Sequence, residues 1–179
     1  KDLIIIAFIK FINLNLNHIN YNKFFMENKT TGALIVAAGE GIRSKSTVPK
    51  QYLNFGHKMV LEKNIENFIH EPLIDFVLVV INEKHRAFYN KAIAKISSSK
   101  LLTPCYGGKT RTQSVKNGLK TISNIGCKKI LIQDGARPFT SNKIIKNCIK
   151  GLDKFDVVFP GIEITDTIYK QKKENNRKT

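Results

Sequence analysis

Three stretches of the 179-residue chain combine glycine with charged side chains in a way that suits an anionic ligand. The first is Ala37-Ala38-Gly39-Glu40-Gly41-Ile42-Arg43, followed by Pro49-Lys50-Gln51-Tyr52-Leu53. Its glycines allow backbone N–H groups to approach a phosphate closely, and Arg43 and Lys50 supply the charge that a triphosphate requires. The second, Tyr106-Gly107-Gly108-Lys109-Thr110-Arg111-Thr112-Gln113-Ser114, places two glycines, bases and a hydroxyl where a helix begins, so that a nucleobase or sugar can meet backbone amides. The third is Gln133-Asp134-Gly135-Ala136-Arg137-Pro138. A single carboxylate such as Asp134 suits Mg²⁺, which usually takes one or two carboxylates and completes its shell with phosphate oxygens and water.

Each stretch also has a plainer reading. The glycines can simply make tight turns beside solvated bases, and Asp134 can cap the following turn or pair with Arg137. Two familiar nucleotide motifs are missing. The third glycine of a dinucleotide fingerprint would fall at Ser44, and no G-x-x-x-x-G-K-[ST] occurs, which counts against a dehydrogenase and a P-loop NTPase.

The elements that must position these stretches are legible as apolar runs. Ala33–Ala38 is unbroken and enters a glycine turn, as expected of a strand buried on both faces. Phe76–Ile81 repeats the pattern, Ile130–Ile132 repeats it in shorter form, and Val157–Phe159 ends at Pro160. Helical spacing lies between them: Leu61, Ile65, Phe68 and Ile69 share one face, and Val115, Leu119 and Ile122 share another. Ile144, Ile145, Cys148, Ile149 and Leu152 form a third face, with Ser141 or Asn142 as N-cap and Gly151 near the end. Strands alternating with helices predict an α/β fold, with a mostly parallel sheet and right-handed crossovers. In such sheets ligands bind beyond the carboxyl ends of the strands, where all three stretches fall.

Composition narrows the classes further. With 42% apolar and 25% charged residues the chain is neither collagen-like nor disordered as a whole. The 30 Lys and Arg outnumber the 14 Asp and Glu, a net charge of +16 that points to an anionic partner. The 140 residues from 30 to 169 hold 21 of the bases and 11 of the acids, much of the excess being scattered lysine. A basic nucleic-acid-binding domain is the remote alternative, and it leaves the glycine stretches unexplained; the chain has no zinc-finger spacing and no aromatic RNP-like strand. Cys105, Cys127 and Cys148 lack any C-x-x-C pairing and read as reduced thiols, and the four histidines form no metal-ligand pattern. Leu3–Ile9 is an apolar run of seven, too short to span a membrane. Residues 1–25 read as an extension, disordered or not native, with Met26 as the natural start. Residues 26–179 read as one domain that is incomplete at its C-terminal end, where Gln171–Thr179 is polar and charged.

Taken together, A-A-G-x-G-x-R…P-K-Q-Y-L, G-G-x-x-R-x-x-S-V-x-x-G-L, D-x-A-R-P-F and Asp166-Thr167-Ile168 resemble the 2-C-methyl-D-erythritol 4-phosphate cytidylyltransferase family. The resemblance runs from about Ala33 to Lys170, and the Thr110–Leu119 stretch is similar to the cytidylyltransferase half of bifunctional proteins that also carry a cyclodiphosphate synthase. It implies a Rossmann-like nucleotidyltransferase fold with helices on both faces of the sheet. It also implies transfer of a cytidylyl group from CTP to 2-C-methyl-D-erythritol 4-phosphate, with Mg²⁺ or another divalent cation as cofactor. By motif, Arg43 and Lys50 are implied as catalytic. Ala37, Ala38, Gly39, Gly41, Gly108, Lys109, Ser114 and Gly135 are implied at the nucleotide, and Asp134, Arg137 and Thr167 at the acceptor, with Asp134 shared between metal and phosphates.

Three positions depart from that pattern: Lys109 stands where an acidic residue is common, Gly135 replaces the usual alanine, and Gln133 replaces a common histidine. The resemblance further implies a homodimer at full length, no nucleic-acid or membrane partner, and a cytoplasmic location, or a plastid-type organelle in a eukaryote. A nucleotidyltransferase for another sugar or alditol phosphate is the related alternative.

Overall fold

The computed structural model describes residues 7–10, 31–41, 48–123 and 125–161. Its elements run β1 (Ala7–Lys10), β2 (Thr31–Ala37), the hairpin β3 (Asn54–Phe55) and β4 (Lys58–Met59), α1 (Val60–Ile69), β5 (Phe76–Ile81) and α2 (Arg86–Ile93). They continue with β6 (Cys105–Tyr106), α3 (Arg111–Ser123), β7 (Lys129–Asp134), α4 (Asn142–Gly151) and β8 (Val157–Val158). One six-stranded sheet has the order β6-β5-β2-β7-β1-β8. Its first four strands are parallel, and β1 is antiparallel to both β7 and β8.

The central position of β2 follows from its sequence. A strand with neighbours on both sides and helices on both faces has no wet side, so Ala33–Ala37 of β2 are apolar throughout. Leu34 pairs with Leu78 of β5 and with Ile132 of β7. Alternation along these strands divides the core in two. Ala33, Ile35, Val77, Val79 and Leu131 meet Ile65 and Phe68 of α1, Tyr89 of α2 and Ile145 of α4 on one face. Leu34, Leu78, Val80, Ile130 and Ile132 meet Ile122 of α3 on the other. Helices therefore cover both faces, as expected. Ser141 is the N-cap of α4, where its Oγ accepts from the Ile144 N–H at 3.4 Å.

Two regions differ from the sequence reading. Ala7–Lys10, four residues of the segment read as an extension, form a strand between β7 and β8. Val157–Phe159 is not a buried strand: β8 has two residues, and Val157 and Phe159 are 52% and 71% exposed. Among the described residues β8 pairs with β1 alone, at the margin of the sheet, so an apolar run here does not gain the two-sided cover that β2 has. Three elements went unpredicted. Helix α2 interleaves polar and apolar residues, and β6 and the β3–β4 hairpin have strands of two residues each, too short to show a period.

Candidate active site

Because β2, β5, β6 and β7 are parallel, the loops that follow them leave from one edge of the sheet, and the three glycine stretches meet there. Behind β2, Ala37 and Ala38 are buried, while Gly39 and Glu40 are exposed; Gly41 has φ +69°, a left-handed conformation that glycine adopts without strain. The Pro49–Tyr52 segment is a 3₁₀ turn in which Tyr52 N–H donates to Pro49 C=O at 2.8 Å. That turn points Gln51 and Tyr52 inward and leaves Lys50 exposed. The Gln51 amide donates to Ala37 C=O at 2.8 Å and to Gly39 C=O at 2.9 Å. With those carbonyls held from behind, the loop keeps its shape without using the face that a ligand would meet. The Tyr52 ring stacks on Phe88 with centroids 5.5 Å apart, and burial raises its phenol well above the ordinary tyrosine range.

The second loop leans across the end of β5 to reach the first. Gly107 N–H donates to Ile81 C=O at 2.9 Å, and a side chain at this position would lie 2.4 Å from Ala38 Cβ and 2.6 Å from Ser114 Oγ. Ser114 is buried; its hydroxyl accepts from Gly108 N–H at 3.1 Å and donates to Thr110 C=O at 3.0 Å. It thus shapes the loop from within. Gly108 and Lys109 are exposed.

The third loop is held mainly by side-chain amides. Gly135 N–H donates to Val36 C=O at 2.8 Å, drawing the loop against β2. From α1, Asn64 donates to Asp134 C=O at 3.0 Å and Asn67 to Pro138 C=O at 2.7 Å. Gln133 is fully buried, donates to Arg137 C=O at 2.6 Å and accepts from the Thr140 hydroxyl at 3.2 Å. The Asp134 carboxylate lies between two guanidinium groups. Arg111 donates to Oδ1 from Nε at 3.0 Å and from Nη2 at 2.8 Å, and Arg137 Nε lies 3.2 Å from Oδ2.

Of the residues singled out from sequence, Ala37, Ala38, Gly39, Gly41, Lys50, Gly108, Lys109, Ser114, Asp134, Gly135 and Arg137 lie on these loops or at their roots. Arg43 and Thr167 lie outside the described residues. The pairing of Asp134 with Arg137 is present, and Arg111 joins it; the sequence reading noted Arg111 as a base but gave it no role. Gln51, Asn64 and Asn67 were also missed as supports. The one local signal was Gln51 beside Lys50, since a polar residue next to a proposed catalytic base is a natural anchor for it.

Among the described residues, no three His, Cys, Asp or Glu side chains are grouped to hold a metal ion. Asp134, 23% exposed at the edge shared by the loops, offers one carboxylate. One carboxylate is a donor set that a Mg²⁺ ion held chiefly by phosphate oxygens can use, and here both Asp134 oxygens are engaged by Arg111 and Arg137.

A mostly parallel sheet covered by helices on both faces, with its glycine loops gathered at one edge, is a Rossmann-like α/β fold, and its solved relatives are nucleotidyltransferases. A solved structure described as 4-diphosphocytidyl-2C-methyl-D-erythritol synthase from Anaerococcus prevotii agrees, with a TM-score of 0.59 and 28% identity over 72% of this chain and 53% of that one. The profile of IspD, 2-C-methyl-D-erythritol 4-phosphate cytidylyltransferase, matches residues 31–178, and the chain belongs to that family. A bifunctional enzyme IspD/IspF from Wolbachia pipientis wMel is 44% identical over 138 residues, which is 76% of this chain and 35% of that protein. A 2-C-methyl-D-erythritol 4-phosphate cytidylyltransferase from Clostridium acetobutylicum is 40% identical over 137 residues, 76% of this chain and 59% of that protein. The chain thus spans from about a third to three-fifths of the length of these two relatives. Among the described residues no helix is long and apolar enough to cross a membrane.

Proposed function

We propose that the chain carries the nucleotide-binding part of a cytidylyltransferase that joins CTP to 2-C-methyl-D-erythritol 4-phosphate. In this reaction an oxygen of the acceptor's phosphate attacks the α-phosphorus of CTP. The bond from that phosphorus to the bridging oxygen breaks, pyrophosphate leaves, and 4-diphosphocytidyl-2-C-methyl-D-erythritol forms. The observation that carries the reading is the meeting of three glycine loops at one sheet edge in a chain of this family.

The exposed Lys50, fixed by its buried neighbours Gln51 and Tyr52, meets the charge that builds on the α-phosphoryl group, together with Arg43. Gly39, where an added Cβ meets nothing within 4 Å, leaves room for phosphate close to the backbone, while Gly108, packed against Gln113, and Lys109 stand at the nucleoside. Asp134 and Arg137 stand between the phosphates and the acceptor, with Thr167 at the acceptor. Mg²⁺ bound at Asp134 supplies charge neutralisation for the triphosphate. We place the enzyme in the cytoplasm, or in a plastid-type organelle in a eukaryote. We expect a homodimer at full length, with neither nucleic acid nor membrane as partner.

The test is pyrophosphate release by the product of the complete reading frame, with CTP, a divalent cation and a panel of phosphate acceptors. Turnover is expected with methylerythritol phosphate alone and is expected to fall about a hundredfold or more in Lys50→Ala. Full turnover in that variant removes the catalytic assignment, and turnover with another sugar or alditol phosphate redirects the acceptor. Steeply salt-dependent binding to DNA or RNA, without CTP binding, favours the nucleic-acid alternative.

A further inference from the structure

The Arg111–Asp134 pair joins the first residue of α3 to the last residue of β7, and so ties the second glycine loop to the third. It is not a distant surface contact. Both Nε and Nη2 converge on a single oxygen, Oδ1, while Arg137 occupies the side of Oδ2. Arg137 is a near neighbour in sequence, and its own N–H donates to Asp134 C=O at 3.1 Å, so it moves with the Asp134 loop. Arg111 comes from another element, and its side chain is 51% exposed. It can leave the carboxylate without disturbing the core.

Two guanidinium groups on one carboxylate leave it a poor site for a free divalent cation, because their charge repels the ion and their N–H groups occupy its lone pairs. Phosphate oxygens change that balance by giving Arg111 an alternative planar acceptor of higher charge. We infer that Arg111 is a positioning residue that holds Asp134 closed to free cations and releases it to the metal when a nucleotide's phosphates draw the guanidinium away. The inference rests on the nucleotidyltransferase reading for its second half only, since the closing of Asp134 is read from its pairing with Arg111 and Arg137.

The test uses Mn²⁺ alone as the probe, with free ion counted by electron paramagnetic resonance in the full chain. Arg111→Gln should bind Mn²⁺ about five- to tenfold more tightly than the unsubstituted chain, and Arg111→Gln combined with Asp134→Asn should lose that gain. Arg111→Lys, which keeps the charge and loses the fork, should fall between the two, and it serves as the reporter if Arg111→Gln fails to fold. With CTP added, Arg111→Gln should bind the Mn²⁺–nucleotide complex more weakly, reversing the order seen without nucleotide. Unchanged or weaker Mn²⁺ binding in Arg111→Gln, or a gain that survives Asp134→Asn, overturns the inference. Should the unsubstituted chain not bind CTP, the nucleotide reading falls, and the Mn²⁺ series still decides whether Arg111 closes Asp134.

Discussion

Gln51 hydrogen-bonds the carbonyl of Ala37, fourteen residues earlier, and its amide also reaches Gly39. Through that one side chain the segment bearing Lys50 and the first glycine loop form a single unit. Gln51 is 5% exposed and its bond to Ala37 C=O is buried, so that carbonyl is left without a donor or water if the amide is lost, whereas Gly39 is exposed. Gln51→Ala should cost about 1–3 kcal/mol in chemical denaturation, the usual penalty for buried acceptors left without donors. Gln51→Glu should cost at least as much, because a carboxylate would face two carbonyl oxygens. Both variants should also lose CTP affinity, read by calorimetry. A Gln51→Glu protein with the original stability would show that the loop does not depend on this bridge.

Gly39 and Gly107 offer a matched pair of alanine substitutions. An added Cβ at Gly39 meets nothing within 4 Å, whereas one at Gly107 falls 2.4 Å from Ala38 Cβ and 2.6 Å from Ser114 Oγ. Gly39→Ala should therefore leave stability within about 0.5 kcal/mol. Gly107→Ala should cost about 1–3 kcal/mol by overpacking. If the open side of Gly39 receives the triphosphate, the stable Gly39→Ala variant should be the one that binds CTP weakly. Thermal unfolding and nucleotide titration of the two proteins, side by side, separate space kept for the fold from space kept for a ligand.

Strands β2, β5 and β7 were legible because interior parallel strands have no wet face, so Ala33–Ala37, Phe76–Ile81 and Ile130–Ile132 carry unbroken apolar runs. Helices α1, α3 and α4 were legible from one apolar stripe each. β6 was not, because Cys105 and Tyr106 become a strand only through pairing with Val80 and Ile81. In the site, local chemistry was readable and long-range support was not. Glycine, Lys50 and Asp134 announce themselves by type and spacing. The bond from Asn64 to the Asp134 carbonyl crosses seventy residues and leaves no mark in either neighbourhood. Ser114 shows the reverse difficulty: a hydroxyl at a helix start suggests a ligand contact, yet its oxygen is engaged by its own loop.

His85 should make stability fall in mild acid. Burial lowers its pKa below the usual histidine value, with Lys84 acting in the same direction and Glu40 opposing it. Its ring lies edge-on to Tyr52 and Phe88, and Nδ1 is buried without a hydrogen-bond partner among the described residues. A histidine with a lowered folded pKa binds protons more readily in the unfolded chain, so its contribution is complete above about pH 6.5 and is lost as pH falls below that value toward the folded pKa. The difference in Tm between about pH 7.5 and about pH 5.5 should be larger for the unsubstituted protein than for His85→Gln. Equal differences in the two proteins would exclude His85 as a contributor.

Asn64 should tolerate replacement poorly. It is fully buried on α1, its Nδ2 donates to the backbone carbonyl of Asp134, and its Oδ1 has no hydrogen-bond partner among the described residues. The side chain thus carries the cost of one unpaired buried oxygen in return for fixing the root of the third loop. Asn64→Ala removes both the orphan oxygen and the donor, so the two effects oppose each other and the net loss should be about 1–2 kcal/mol. Asn64→Asp keeps the shape but replaces the donor. The new acid must then either bury a charge against a carbonyl or take up a proton to donate in place of the amide. Its stability should consequently depend on pH where that of Asn64→Ala does not, recovering as pH falls toward the range in which the carboxyl is protonated. Denaturation of the two variants at neutral and acidic pH checks this, and a pH-independent difference between them would mean that the Arg137 N–H, which also donates to Asp134 C=O, is enough for that carbonyl.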